Sequence, residues 1–196
     1  MLFRSHDIVP LREMKERDFA LHPGNICRLR ERARIDPAWH VEPQARGARA
    51  DSLAINVMVR DRFSSLLEPD NSRVREFDGL NVPSRTETVT MKTLDSVLPS
   101  LRQRLGFRRP YLKLDTQGFD LEVTEGARGS LPSIPALQSE ASVLGIYKGM
   151  PGYMDTIHYL GERGFDITGL YPVSRDRSLR LIEFDCVMIN RAATAA

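Results

Sequence analysis

The chain contains few of the residues that build metal sites or disulfide-stabilised folds. Among its 196 residues there are two cysteines, Cys27 and Cys186, and four histidines. The cysteines lack CxxC spacing and a histidine-rich neighbourhood, whereas zinc sites and disulfide frameworks need several such residues at short, regular spacings. We therefore expect no metal site and no disulfide framework, and we interpret both cysteines as ordinary thiols.

Long apolar runs and a strong charge imbalance are also missing. No apolar run approaches the roughly 18 residues of a membrane span. The start, MLFRSHDIVPLREMKERD, carries charges throughout and has no apolar signal-peptide core. The 28 basic and 26 acidic residues give a net charge of +2, which is too balanced to attract nucleic acid through the overall field. These absences predict a cytoplasmic protein with neither a membrane nor a nucleic-acid partner.

Basic residues nevertheless cluster in two runs. RLRERAR spans Arg28–Arg34, and RQRLGFRR spans Arg102–Arg109. The runs lack interleaved aromatic residues and a recognisable nucleic-acid-binding motif. We interpret both runs as solvated faces of helices or loops, with phosphate binding as the less favoured alternative.

The hydrophobic pattern of the first half predicts one helix, several strands and a long loop. Ile26, Leu29 and Ala33 form one apolar stripe, which predicts a helix over 25–34. A polar stretch with Pro and Gly over 62–85 predicts a long irregular connection. The other elements predicted here are strands over 39–43, 53–59 and 86–91 and a helix over 94–98 that stops near Pro99.

The second half alternates strands and helices more regularly. A strand over 111–114 leads through a turn over 115–118 into a helix that carries Leu121 and Val123. The elements predicted after it are a strand over 136–144, a helix over 154–163 that ends at Gly164, and two final strands over 165–173 and 179–190. This order predicts an α/β sheet that is mostly parallel and ends in an antiparallel hairpin.

Two acidic residues follow predicted strands. Asp115 comes after YLKL, and Glu140 comes after ALQS. If these strands are neighbours, both carboxylates lie over the same edge of the sheet, where open α/β sheets bind ligands. Such a pair can bind hydroxyl groups, act as a general base or hold a divalent ion. Alternatively, Asp115 or Asp120 caps the following helix or stabilises the turn.

Several segments together resemble one enzyme family. LKLDTQGFDLEVTEGA has a strand that ends in Lys, an aliphatic residue and Asp, then a Gly-containing turn and a helix closed by Gly-Ala. INVMVRDRFSSLLEPD and RTETVTMKTLDSVL precede it, and ALQSEASVLGIYKGMPGYMDTIHYLGERGFDITGLYPVSRD follows it. In this combination the chain resembles the FkbM family of S-adenosylmethionine-dependent methyltransferases, almost continuously from Pro23 to Arg191.

The resemblance implies a fold, a reaction and a set of site residues. The fold is the Rossmann-like sheet of class I methyltransferases, and the reaction transfers a methyl group from S-adenosylmethionine to a hydroxyl oxygen of a small molecule or saccharide. Such a transfer needs alignment of the acceptor and a base for its proton. The implied catalytic residues are Asp115 and Glu140, and the implied substrate-binding residues are Gln117, Asp120, Ser64 and Ser65. For the two serines, turn residues that bond their own loop are an equally favoured interpretation.

The start of the chain departs from the family pattern. Class I methyltransferases hold the cofactor on a Gly-rich turn after the first strand and on an acidic residue after the second. The first 22 residues contain no glycine, and the ribose-binding position corresponds to Ala20 or Leu21, with Asp18 nearby. We therefore expect a divergent segment over 1–22, a partial methyltransferase domain over 23–191 that lacks the first strand and its turn, and a frayed tail over 192–196. The alternative function is that of an inactive fragment or binding module that no longer holds the cofactor.

Overall fold

The structure, a computed structural model, describes residues 2–3, 23–35 and 40–194. The described residues form an α/β arrangement with a two-stranded, a three-stranded and a four-stranded sheet. The helices are α1 (Pro23–Ala33), α2 (Leu94–Leu105), α3 (Asp120–Glu125), α4 (Tyr153–Glu162) and α5 (Arg191–Thr194). The strands are β1 (Leu2–Phe3), β2 (His40–Val41), β3 (Ala45–Arg46), β4 (Asp51–Met58), β5 (Pro83–Lys92), β6 (Tyr111–Leu114), β7 (Ala136–Ser142), β8 (Phe165–Arg175) and β9 (Leu181–Asn190).

The four-stranded sheet has the order β6-β7-β9-β8. β6 and β7 run parallel because α3 provides the crossover that parallel neighbours require. β8 and β9 form the predicted antiparallel hairpin, and β9 also pairs antiparallel with β7. Apolar side chains of β6, β7 and β9 pack with α2 and α4 in the largest core cluster, which includes Leu112, Leu137, Leu160, Cys186 and Met188.

The three-stranded sheet has the order β3-β5-β4. β4 and β5 are long antiparallel partners with one bulge near Val57. Their buried side chains, among them Ile55, Val89 and Met91, form a second core with Ala45, and Phe119 packs against it. Phe119 directly precedes α3, so this sheet packs close to the turn that follows β6.

The prediction of a mostly parallel sheet is wrong for the described residues. Of the six strand pairings, only β3 with β5 and β6 with β7 are parallel. The long connection between β4 and β5 contains two short 3-10 turns in place of a crossover helix, so β5 returns antiparallel. An apolar run predicts that a strand forms, but it does not predict the direction of its partner.

The predicted end of the second helix is also wrong. α2 continues through Pro99 to Leu105 and ends at Gly106, whose φ of 71° caps it in the left-handed conformation. A proline inside a helix removes one backbone hydrogen bond. Here the lost bond is outweighed by packing, because Leu94, Val97, Leu98 and Leu101 are all buried along one face of α2.

Two further predictions concern the first and last residues of the chain. Residues 191–194, predicted mostly as a frayed tail, form the short helix α5, where the Arg191 side chain donates to Asp166 Oδ1 and to Gly161 O. The predictions for Asp18, Ala20 and Leu21 lie outside the described residues, as does most of the divergent segment over 1–22. Among the described helices, none has the length and apolar character needed to span a bilayer.

Candidate functional site at the ends of two parallel strands

The candidate site lies where the parallel pairing of β6 with β7 ends, just after the last residue of β6 and within β7. Leu114 pairs with Ser139 in the parallel register, and the next residues along each strand are Asp115 and Glu140. The amide nitrogen Nε2 of Gln117 donates to Asp115 Oδ1 at 3.2 Å and to Glu140 Oε2 at 3.1 Å. The structure therefore brings three of the sequence-predicted site residues into one hydrogen-bonded group.

Gln117 occupies an unusual backbone conformation in the turn after β6. Its φ is 53°, and the φ of Gly118 is 87°. A non-glycine residue in the left-handed region costs about 1–2 kcal/mol. Bonds to the rest of the protein offset this cost, because Ser65 Oγ donates to Gln117 O at 2.8 Å and Tyr147 Oη lies 2.8 Å from Gln117 Oε1. The turn is thus fixed with its amide directed between the two carboxylates.

Tyr147 links this turn to the long connection between β4 and β5. Its buried hydroxyl lies 2.7 Å from Phe63 O and 2.8 Å from Gln117 Oε1. Because a tyrosine hydroxyl has one proton, it donates to only one of these two acceptors at a time. Sequence analysis missed Tyr147, since it belongs to a loop with no motif and meets Gln117 only through the fold.

Lys113 contributes the positive charge beside Asp115. Its Nζ lies 3.1 Å from Asp115 Oδ2, because residues two apart on a strand point to the same face. Burial lowers the pKa of Lys113, but the neighbouring carboxylate of Asp115 has the opposite effect and the net result is a raised pKa. Lys113 therefore remains charged against Asp115 at neutral pH.

Further carboxylates reach the site from β9. Asp185 is opposite Glu140 in the antiparallel register, and Glu183 is opposite Ser142. Directly opposite residues of antiparallel strands share one face of the sheet. Burial, followed by the charges of Asp115 and Glu183, raises the pKa of Glu140 well above its ordinary value. The period-2 pattern of IEFDCV was the signal that could have placed Glu183 and Asp185 on one face of a strand.

Asp120 lies behind the turn and holds it in place. Its Oδ1 accepts from the backbone N–H of Thr116 at 2.8 Å and from the Thr116 hydroxyl, and its Oδ2 accepts from Ser139 Oγ at 2.9 Å. Burial raises the pKa of Asp120 to about 6, although these hydrogen bonds act in the opposite direction. This geometry matches the alternative in which an aspartate stabilises the turn.

The two serines of the long connection take different positions. Ser65 Oγ reaches the turn through Gln117 O and also accepts from Leu67 N at 3.0 Å. Ser64 Oγ accepts from Met58 N at 3.1 Å and thereby ties the loop to β4. Both serines are buried. Ser65 thus positions Gln117, whereas Ser64 fixes the start of the long connection to β4.

The arrangement is suited to binding a hydroxyl group. The Asp115 side chain keeps 21% of its surface exposed, and each of its oxygens accepts one protein hydrogen bond. A carboxylate oxygen has two lone pairs, so Asp115 can accept a further bond from a ligand. Within the described ranges, no three His, Cys, Asp or Glu side chains are arranged to hold a metal ion.

The Glu140→Gln variant tests the crowding of negative charge at the site. A carboxyl whose pKa is raised by folding stabilises the folded state below its unfolded pKa, near 4.5, and loses this contribution as pH rises through the folded pKa. The amide that replaces the carboxyl stays neutral, so we expect the variant to melt above the wild type at pH 8, by about 3 °C or more. The difference should shrink towards pH 4.

The matched control replaces an exposed carboxylate on α3. Glu122→Gln removes the same charge at an exposed position, where substitutions change stability by about 0.5 kcal/mol or less. Melting curves followed by circular dichroism at pH 4, 6 and 8 measure both variants. If the Glu140→Gln variant melted below the wild type at pH 8, the Glu140 carboxylate would be shown to stabilise the folded state.

The comparisons with known proteins add no relative. No protein-family model, no curated protein and no solved structure matches this chain.

Proposed function

We propose that the chain binds a hydroxyl-bearing small molecule or saccharide at the ends of β6 and β7 and transfers to that hydroxyl a methyl group from S-adenosylmethionine. The observation that supports the hydroxyl site is the amide of Gln117, which joins Asp115 to Glu140 and leaves Asp115 accessible. The methyl transfer itself rests on the resemblance to the FkbM family. S-adenosylmethionine, when bound, supplies the reactive methyl group.

The residues around the hydroxyl have distinct roles in this proposal. Asp115 accepts the hydrogen bond from the ligand hydroxyl and takes its proton, which is the role of a general base. Lys113, 3.1 Å away, balances the negative charge of Asp115. Glu140 has carboxylates as neighbours, and its raised pKa favours the protonated form, which can donate to an oxygen of the ligand. Two carboxyls in contrasting environments thus act as acceptor and donor.

The two glycines that follow β6 most closely, Gly118 and Gly126, do not fit the cofactor. A glycine that cradles a ligand leaves open space where a side chain would be, yet a Cβ at Gly118 would lie 3.1 Å from both Leu67 and Met150. A Cβ at Gly126 would collide with Gly47 O at 1.9 Å. Both positions are therefore filled by the protein itself. We assign no step to residues that would hold S-adenosylmethionine.

A second candidate function is that of a binding module without methyl transfer. It is favoured by a difference between the residues that would bind the hydroxyl ligand and the glycines that would hold the cofactor. The hydrogen-bonded group around Gln117 lies entirely within the described residues, whereas neither Gly118 nor Gly126 leaves open space for a cofactor. In this alternative the chain binds the same class of ligand and releases it unchanged.

Calorimetric titration of the purified chain separates the two candidates. One series titrates S-adenosylmethionine, and the other titrates a panel of mono- and disaccharides with and without S-adenosylmethionine. Micromolar binding of S-adenosylmethionine together with saturable binding of a saccharide supports methyl transfer, which mass spectrometry of the product then tests. Saccharide binding without cofactor binding supports the module. Binding of neither ligand contradicts both candidates.

A further inference from the structure

A basic cavity lies between α1, β2 and the end of α2, apart from the residues of the candidate functional site. It has a volume of about 390 Å3, and its charged and titratable lining residues are Arg30, Arg34, His40, Glu42 and Arg104. Arg30 lies in the last turn of α1 and Arg34 directly follows the helix; Arg34 N donates to Arg30 O at 3.2 Å, so the two residues lie one helical turn apart. Arg104 comes from the last turn of α2. The two basic runs, which are distant in the sequence, therefore meet at one cavity.

Negative charge at this cavity is scarce among the described residues. Glu42 is the one acidic residue in its described lining, and its Oε1 is paired with Arg104 Nη2. The field of Glu42 also acts on Arg46, which lies beneath the surface with 3% of its area exposed. The single carboxylate of Glu42 thus interacts electrostatically with two guanidinium groups, those of Arg46 and Arg104. Arg30 and Arg34 add two further positive charges.

Arg46 is an incompletely bonded buried cation. Its Nη1 donates to Gln44 O at 2.9 Å and to Ala45 O at 3.1 Å. Its Nε and Nη2 are buried without a hydrogen-bond partner. Burial lowers the pKa of Arg46, and Glu42 only partly opposes this effect. A buried, unbalanced cation is unfavourable, so added negative charge near Glu42 would stabilise this region.

We propose that this cavity binds a small anion that carries phosphate groups. Guanidinium groups present planar pairs of N–H donors that match phosphate oxygens, and clusters of arginine are typical of phosphate recognition. The volume is within the range of about 300–1,000 Å3 typical of small-molecule sites. The site rests on residues that the proposed methyl transfer does not use, so the two proposals stand or fall separately.

Calorimetry with inorganic pyrophosphate tests the proposal. The double variant Arg30→Ala/Arg34→Ala removes two exposed charges and keeps a good helix former at Arg30, the position inside α1. The matched control Arg73→Ala/Arg177→Ala removes the same charge from two exposed residues that do not line the cavity. We expect one pyrophosphate per chain, affinity lowered about tenfold or more by the first double variant, and less than about a twofold change in the control. Circular dichroism verifies that both variants are folded.

Three results would overturn the proposal. Wild-type chain that shows no saturable binding of pyrophosphate lacks the site. Equal weakening by the two double variants would show that only the overall charge matters. Binding of a 12-nucleotide RNA without binding of pyrophosphate would assign the basic surface to nucleic acid.

Discussion

The Gly126→Ala variant should unfold at a markedly lower temperature than the wild-type chain. Gly126 follows α3 and has a φ of −74°, which alanine adopts without strain. The obstacle is steric, because an added Cβ would lie 1.9 Å from Gly47 O and 2.9 Å from Gly47 C. These are backbone atoms, so no side-chain rotation relieves the clash. We expect a loss of about 3 kcal/mol, the upper part of the range for overpacking.

The contact between Gly47 and Gly126 matters because it joins two sheets. Gly47 follows β3, and its N–H donates to Lys92 O at the end of β5. Gly126 O accepts from Asp95 N at the start of α2. Moving the two glycines apart therefore separates the three-stranded sheet from the helices that cover the four-stranded sheet. Thermal and urea unfolding, followed by circular dichroism, measure the loss.

The control for this variant is another glycine-to-alanine change. A Cβ at Gly161, near the end of α4, meets nothing within 4 Å. Alanine in a helix is favoured over glycine by about 0.5–1 kcal/mol, so Gly161→Ala should raise the melting temperature slightly. A Gly126→Ala variant as stable as the wild type would mean that the loop at Gly47 moves without cost.

Local signals in the sequence were sufficient to predict most of the elements. The helix that ends at Gly164 is α4, and the β-branched runs around Ile167 and Val187 form the predicted hairpin. Each of these features depends on residues close in sequence, such as a left-handed glycine at a helix end. The prediction of a helix end near Pro99 is wrong because the packing of Leu94 and Leu101 along α2 outweighs a local rule.

The candidate site was predictable only in part, for a related reason. Asp115 and Glu140 could be placed together because neighbouring parallel strands end at one edge of a sheet. The φ of 53° at Gln117 and its bond to Tyr147 depend on segments 30 residues apart. The alternating acidic residues of β9 could be recognised in the sequence, but the pairing of β9 with β7 could not. Contacts of this kind need the fold before they can be inferred.

The largest functional effect is expected for the Asp115→Asn variant. Asparagine keeps the size of the side chain, but it loses the charge that faces Lys113 at 3.1 Å and the capacity to take a proton. A hydrogen bond to a charged group contributes about 1.5–3 kcal/mol, so affinity for a hydroxyl ligand should fall at least about tenfold. If the chain transfers a methyl group as proposed, removal of the proposed general base should lower kcat by about 10²–10⁴-fold.

The exposed Asp78 provides the matched control, because it lies in the long connection between β4 and β5 and is not a member of this hydrogen-bonded group. Asp78→Asn removes the same charge and should leave affinity and kcat unchanged within about twofold, since exposed substitutions have small effects. Melting curves of both variants show whether the fold is retained. If a folded Asp115→Asn variant kept the wild-type affinity, the hydroxyl ligand would have to bind elsewhere than at Asp115. Reduced affinity with an unchanged kcat would instead make Asp115 a binding group and assign the proton to another acceptor.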